Sequence, residues 1–77
     1  MKTNANIIGK TIKRNRKIKN LTQKQLALKM SVSTKLVSSW EQGARTPSIN
    51  MISALVELLD IDIIQVVKAI NKNQIRR

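Results

Sequence analysis

A chain of 77 residues holds one small domain, and burying only about 60% of its unfolded surface leaves it a thin core. Lys and Arg number 15 against four Asp and Glu, a net charge of +11, and Cys, His, Tyr and Phe are all absent. Disulfide staples, thiolate and imidazole metal sites and the commonest general base are therefore missing, an enzyme is close to excluded, and the lone Trp40 makes base-stacking platforms for single strands unexpected.

Gly9, Gly43 and Pro47 are the only Gly and Pro residues, and with regular apolar spacing the chain reads as all-α in five segments. The first spans about Asn6 to Lys19. Ile8 and Ile12 share one face, Lys10, Lys13, Arg14 and Lys17 lie mostly elsewhere, and Asn20 follows as a left-handed stop. The second spans about Gln23 to Met30. Thr22 and Gln25 form a T-x-x-Q capping box, Leu21 and Leu26 a hydrophobic staple, and Leu26, Ala27 and Met30 the apolar stripe. The third spans about Thr34 to Gln42, N-capped by Ser33, stapled by Val32 and Val37, and stopped by Gly43. After Pro47 and the cap Ser48, the fourth spans about Ile49 to Leu59, where Ile52, Leu55, Val56 and Leu59 repeat at i, i+3, i+4, i+7. The fifth spans about Ile63 to Ile70, with Asp62 and Gln65 in a D-x-x-Q arrangement, Ile61 and Val66 as a staple, and Ile63, Val66, Val67 and Ile70 as its stripe. Residues 1–70 then form the domain, and the basic tail 71–77, which has no stripe, is expected to fray.

The opening six residues have no apolar core of signal-peptide length, and no apolar run approaches the roughly 20 residues of a membrane span. A cytoplasmic protein with no membrane partner is expected. The charge is divided along the chain. Residues 1–40 hold ten Lys/Arg and no acid, whereas residues 41–77 hold five Lys/Arg and four acids. A field of this kind attracts a polyanion: duplex DNA, RNA or an anionic membrane. Helices 2 and 3 are separated only by Ser31 to Ser33, and two capped helices joined so tightly form a helix-turn-helix. In that motif the second helix lies in the major groove, while the first crosses the backbone with its N–H groups towards a phosphate.

These residues resemble a known family. Leu21-Thr22-Gln23-Lys24-Gln25-Leu26-Ala27 is similar to the "L-T-Q-x-E-L-A" opening of the lambdoid repressor and Cro family, the xenobiotic-response-element type of helix-turn-helix. Val32-Ser33, then Val37-Ser38-Ser39-Trp40-Glu41-Gln42-Gly43, resembles its "V-S-x-x-x-I-S-x-W-E-x-G" continuation, and Arg45-Thr46-Pro47-Ser48 its "R-x-P-S" lead into the fourth helix. The match covers roughly residues 8–67. It implies a compact five-helix, lambda-repressor-like domain, encoded by a bacterium or phage and resident on the nucleoid. Such a protein is usually a dimer on a palindromic operator, and no cofactor or small-molecule ligand is implied. Asn20, Ser31 and Asp60 stand where the family commonly has Gly. Asn and Asp take left-handed backbone at modest cost. Ser31 falls in the turn between helices 2 and 3, and strain or reshaping there would re-aim helix 3.

On a wheel of 100° per residue, Ser33, Leu36, Val37, Trp40 and Glu41 share one side of helix 3, and Lys35, Ser38, Ser39 and Gln42 the other. Thr34 lies at the margin, at the N-terminal tip. Thr34, Lys35, Ser38 and Ser39 are the expected base-edge contacts, Lys35 with a preference for guanine O6 or N7. The resemblance places Gln23 against the backbone, and Lys24, Ser33, Gln42 and Arg45 are further expected phosphate contacts. The cations of helix 1 supply field rather than contact. Leu36 is either core or an apolar contact to a thymine methyl. Trp40 is expected in the core, and the resemblance pairs Arg16 with Glu41 in an ion pair tying helix 1 to the end of helix 3. One recognition helix reads few base pairs, so a homodimer with helices about 34 Å apart is expected. Ile64 and Ile75 are candidates for its interface, or simply exposed apolar residues. A cationic membrane helix is disfavoured, since helix 1 has no Trp, Phe or Leu face. The alternative to a repressor is an antitoxin-like or adaptor protein that uses the same fold mainly for protein–protein contact.

Overall fold

Cap chemistry sets where the helices begin and end. In the computed structural model, which describes residues 4–74, they run α1 (Asn4–Ile18), α2 (Gln23–Met30), α3 (Thr34–Gln42), α4 (Ile49–Leu59) and α5 (Ile63–Gln74). The Thr22 hydroxyl accepts from the Gln25 N–H at 3.0 Å, and the Gln25 side chain accepts from the Thr22 N–H at 2.8 Å, completing the capping box of α2. Ser33 and Ser48 cap α3 and α4 by accepting from the N–H groups of Leu36 and Met51. Bounds and caps of α2, α3 and α4 agree with the sequence reading.

Both ends of the chain differ from that reading. α1 starts two residues earlier than expected and ends one earlier, at Ile18. α5 continues four residues past Ile70 to Gln74, so the first part of the expected frayed tail is helical; residues 75–77, and with them Ile75, lie outside the described residues. Asp62 does not complete a D-x-x-Q box. Its carboxylate accepts from the Ile64 N–H at 3.1 Å, while the Gln65 N–H bonds to the Asp62 backbone carbonyl. The carboxylate still satisfies one orphan donor of the first turn.

Asn20, Ser31 and Asp60 have φ of 60°, 57° and 53°, all left-handed. The turn before α3 thus keeps the conformation a glycine would take, and Ser31 carries the steric strain, about 1–2 kcal/mol, instead of reshaping the turn.

The core consists of Ile12 from α1, Leu26 and Ala27 from α2, Val37 and Trp40 from α3, and Leu55 and Leu59 from α4. Leu36 is half-buried and packed against this cluster, which favours its core role. α1 meets α3 backbone to backbone at Gly9. A Cβ there would fall well inside contact distance of the Trp40 carbonyl oxygen and 2.9 Å from that of Glu41. α5 is the loosest element. Among its described side chains none is fully buried, and Ile63, Val66, Val67 and Ile70 line, together with Ile8 and Leu55, an apolar pocket of about 140 Å³ that opens to solvent.

Candidate nucleic-acid interface

The inner faces of α2 and α3 fix what their outer faces present. Leu26 and Ala27 on one helix and Val37 and Trp40 on the other are all buried, so neither helix can roll without exposing core. On the outer side, Thr34, Lys35 and Gln42 are exposed, while Ser38 and Ser39 are half-buried. Gln42 donates from Nε2 to the Ser38 hydroxyl at 3.1 Å, which ties together two residues one turn apart. Ser33 is exposed, and its oxygen is occupied by the Leu36 N–H, leaving its own proton free to donate. Beyond α3 the chain folds back, the Ala44 and Arg45 N–H groups donating to the Ser39 carbonyl. This holds the exposed Arg45 beside the end of α3. Lys24 is exposed on the first turn of α2, and Gln23, half-buried, precedes it.

Arg16 and Glu41 meet beneath this surface. Arg16 donates from Nε to Glu41 Oε2 at 2.6 Å and from Nη2 to Oε1 at 3.1 Å, and its Nη1 donates to the Leu21 carbonyl at 2.7 Å. Their side chains are only 10% and 3% exposed, so the pair is shielded from water. The Gln23 amide also donates to Glu41 Oε1, at 3.0 Å, a contact the sequence reading did not anticipate. It spans 18 residues, and no local pattern signals it. The sequence reading also gave Gly9 no role, and its signal is equally weak: one glycine within an otherwise ordinary helical stretch.

The electrostatics divide the molecule in the same way. Glu41 is the one acid in α1–α3, and Arg16 neutralises it. The other acids, Glu57, Asp60 and Asp62, lie on α4 and on the connection to α5, where Asp60 pairs with Lys19 from the end of α1. The outer face of α2 and α3 therefore carries Lys24, Lys35 and Arg45 with no exposed carboxylate among them. Among the described residues, no helix is long and apolar enough to cross a membrane.

Two capped helices joined by a left-handed turn, with a buried inner side and a polar, cationic outer side, define a helix-turn-helix DNA-binding domain. A family model described as helix-turn-helix matches residues 12–66, well over half of the chain. The chain belongs to this family of lambda repressor/Cro-type domains and is a regulator that binds double-stranded DNA. No curated protein and no solved structure matches it.

Proposed function

We propose that the protein is a transcriptional repressor that occupies a palindromic operator as a homodimer and blocks polymerase there. The observation that carries this reading is the outer face of α3, where Thr34 and Lys35 stand exposed above a buried Val37 and Trp40. A helix so held can enter the major groove with its N-terminal residues against base edges. Lys35 donates to guanine O6 or N7, and the hydroxyls of Thr34, Ser38 and Ser39 make less selective contacts. Gln23, Lys24, Ser33, Gln42 and Arg45 surround this face and donate to phosphates, which sets position rather than sequence preference.

A nine-residue reading helix spans few base pairs, which favours a pair of copies. Charge favours one surface for the pairing. Residues 1–48 sum to +10, whereas residues 49–71, covering α4 and most of α5, sum to −2. Copies meeting through α4 and α5 avoid the strongest mutual repulsion and leave both reading helices free. That surface also carries the apolar residues Ile63, Ile64 and Val67, all exposed in a single chain.

The test is a selection from random duplexes followed by a salt titration of the winner. With about 6–10 phosphate contacts, affinity should fall by about 10³–10⁵ between 50 and 200 mM salt. The selected duplex should be palindromic and bind two copies. Equal affinity for selected and scrambled duplexes refutes the reading.

A further inference from the structure

We propose that Glu41 is a positioning residue for DNA binding, which orients the Gln23 amide so that one N–H is held by the protein and the other is presented to a phosphate. This rests on the proposed phosphate contact of Gln23 and goes beyond the ion pair with Arg16. An ionised carboxylate only accepts hydrogen bonds, so the amide must turn its nitrogen, not its oxygen, towards Glu41. The 3.0 Å contact from Gln23 Nε2 to Glu41 Oε1 has that sense. The two N–H bonds of an amide diverge in its plane, which leaves the second one facing away from the carboxylate.

The carboxylate is itself fixed. Arg16 grips both of its oxygens while donating to the Leu21 carbonyl, and the Glu41 side chain is 3% exposed. A free glutamine would have to give up rotamer freedom, and choose between its two amide ends, at the moment of binding. Here both are settled beforehand. Glu41 also belongs to α3, so the helix that reads bases holds the side chain that grips the backbone at the start of α2. The register between the two contacts then passes through one carboxylate.

Neutral methylphosphonate substitution, one phosphate at a time, on the selected duplex tests this. In the wild-type protein, neutralising the phosphate that faces Gln23 should weaken binding about tenfold or more, the usual scale of a hydrogen bond to a charged group. The loss should vanish in Gln23→Ala. In Glu41→Gln it should also vanish, while the losses at the phosphates facing Lys24 and Arg45 persist. A merely structural role would weaken all of these together, and that result overturns the proposal. So does a Glu41→Gln variant that keeps the full loss at the Gln23 phosphate. If Glu41→Gln does not fold, side-chain amide relaxation in the wild-type protein decides. The Gln23 amide should be rigid, with an order parameter near about 0.85, and the exposed Gln65 amide mobile, below about 0.6. Equal mobility of the two overturns the proposal. A selection that yields no preferred duplex refutes the operator reading instead, and the relaxation measurement then decides on Glu41 alone.

Discussion

Replacing Arg16 with Met removes the partner of a carboxylate that is almost wholly out of water. Glu41 would keep only the Gln23 amide, and stranding a buried charge in this way costs about 3–5 kcal/mol. A domain of 77 residues has about 4–12 kcal/mol of stability in all, at about 0.05–0.15 kcal/mol per residue. The substitution therefore removes a large fraction of the total. At roughly 4–8 °C per kcal/mol for a domain of this size, the thermal midpoint should fall by at least about 12 °C. Glu41→Gln alone should cost less, because Arg16 retains the Leu21 carbonyl. The double variant strands neither charge and should be less destabilised than the two single losses added together. Urea or thermal unfolding followed by far-UV circular dichroism gives all corners of the cycle. A coupling of about 1 kcal/mol or more is expected, and closure within about 0.3–0.5 kcal/mol would refute the reasoning.

Gly9→Ala should lower the urea midpoint by an amount equivalent to about 1–3 kcal/mol, because the added methyl group meets backbone oxygens of α3 that cannot turn aside. Ser31→Gly should raise stability by about 1 kcal/mol by relieving left-handed strain, with base preference unchanged; no gain would show that the turn is not strained. Lys35→Ala should alter the preferred base at one position of a selected duplex, whereas Gln23→Ala should weaken all duplexes alike, as binding selections on each variant would show. Ile64→Lys should reduce two-copy binding on the operator, measured by sedimentation, while leaving single-chain stability within about 0.5 kcal/mol, because Ile64 is 60% exposed.

What could be read from residues alone was the local chemistry. Thr22, Ser33 and Ser48 each announce a helix start through a side-chain oxygen placed three residues before the N–H it accepts, and the structure puts all three there. The apolar stripes located part of the core, Ile12, Leu26, Ala27, Leu55 and Leu59, but the equally regular stripe of α5 is half-buried or exposed, because α5 packs on the rest from one edge only. The end of α5 differs for an identifiable reason: Asn71 to Gln74 have no apolar stripe, but a helix already formed adds one backbone hydrogen bond per residue and propagates without one. The wheel placed Ser38 and Ser39 on the outer side, and their half-burial comes from neighbours that a single-helix projection cannot contain. Gly9 and the Gln23 to Glu41 contact depend on how closely helices distant in sequence approach, which no window of residues encodes.

The placement of the acids has one more consequence. With three of its four carboxylates gathered at α4 and the following connection, and ten of its 15 Lys/Arg in residues 1–40, the molecule is an electric dipole as well as a cation. In the field of a duplex such a body experiences a torque as well as a pull. It is turned as it diffuses inward, so that its more cationic end leads, and fewer collisions are wasted on the other.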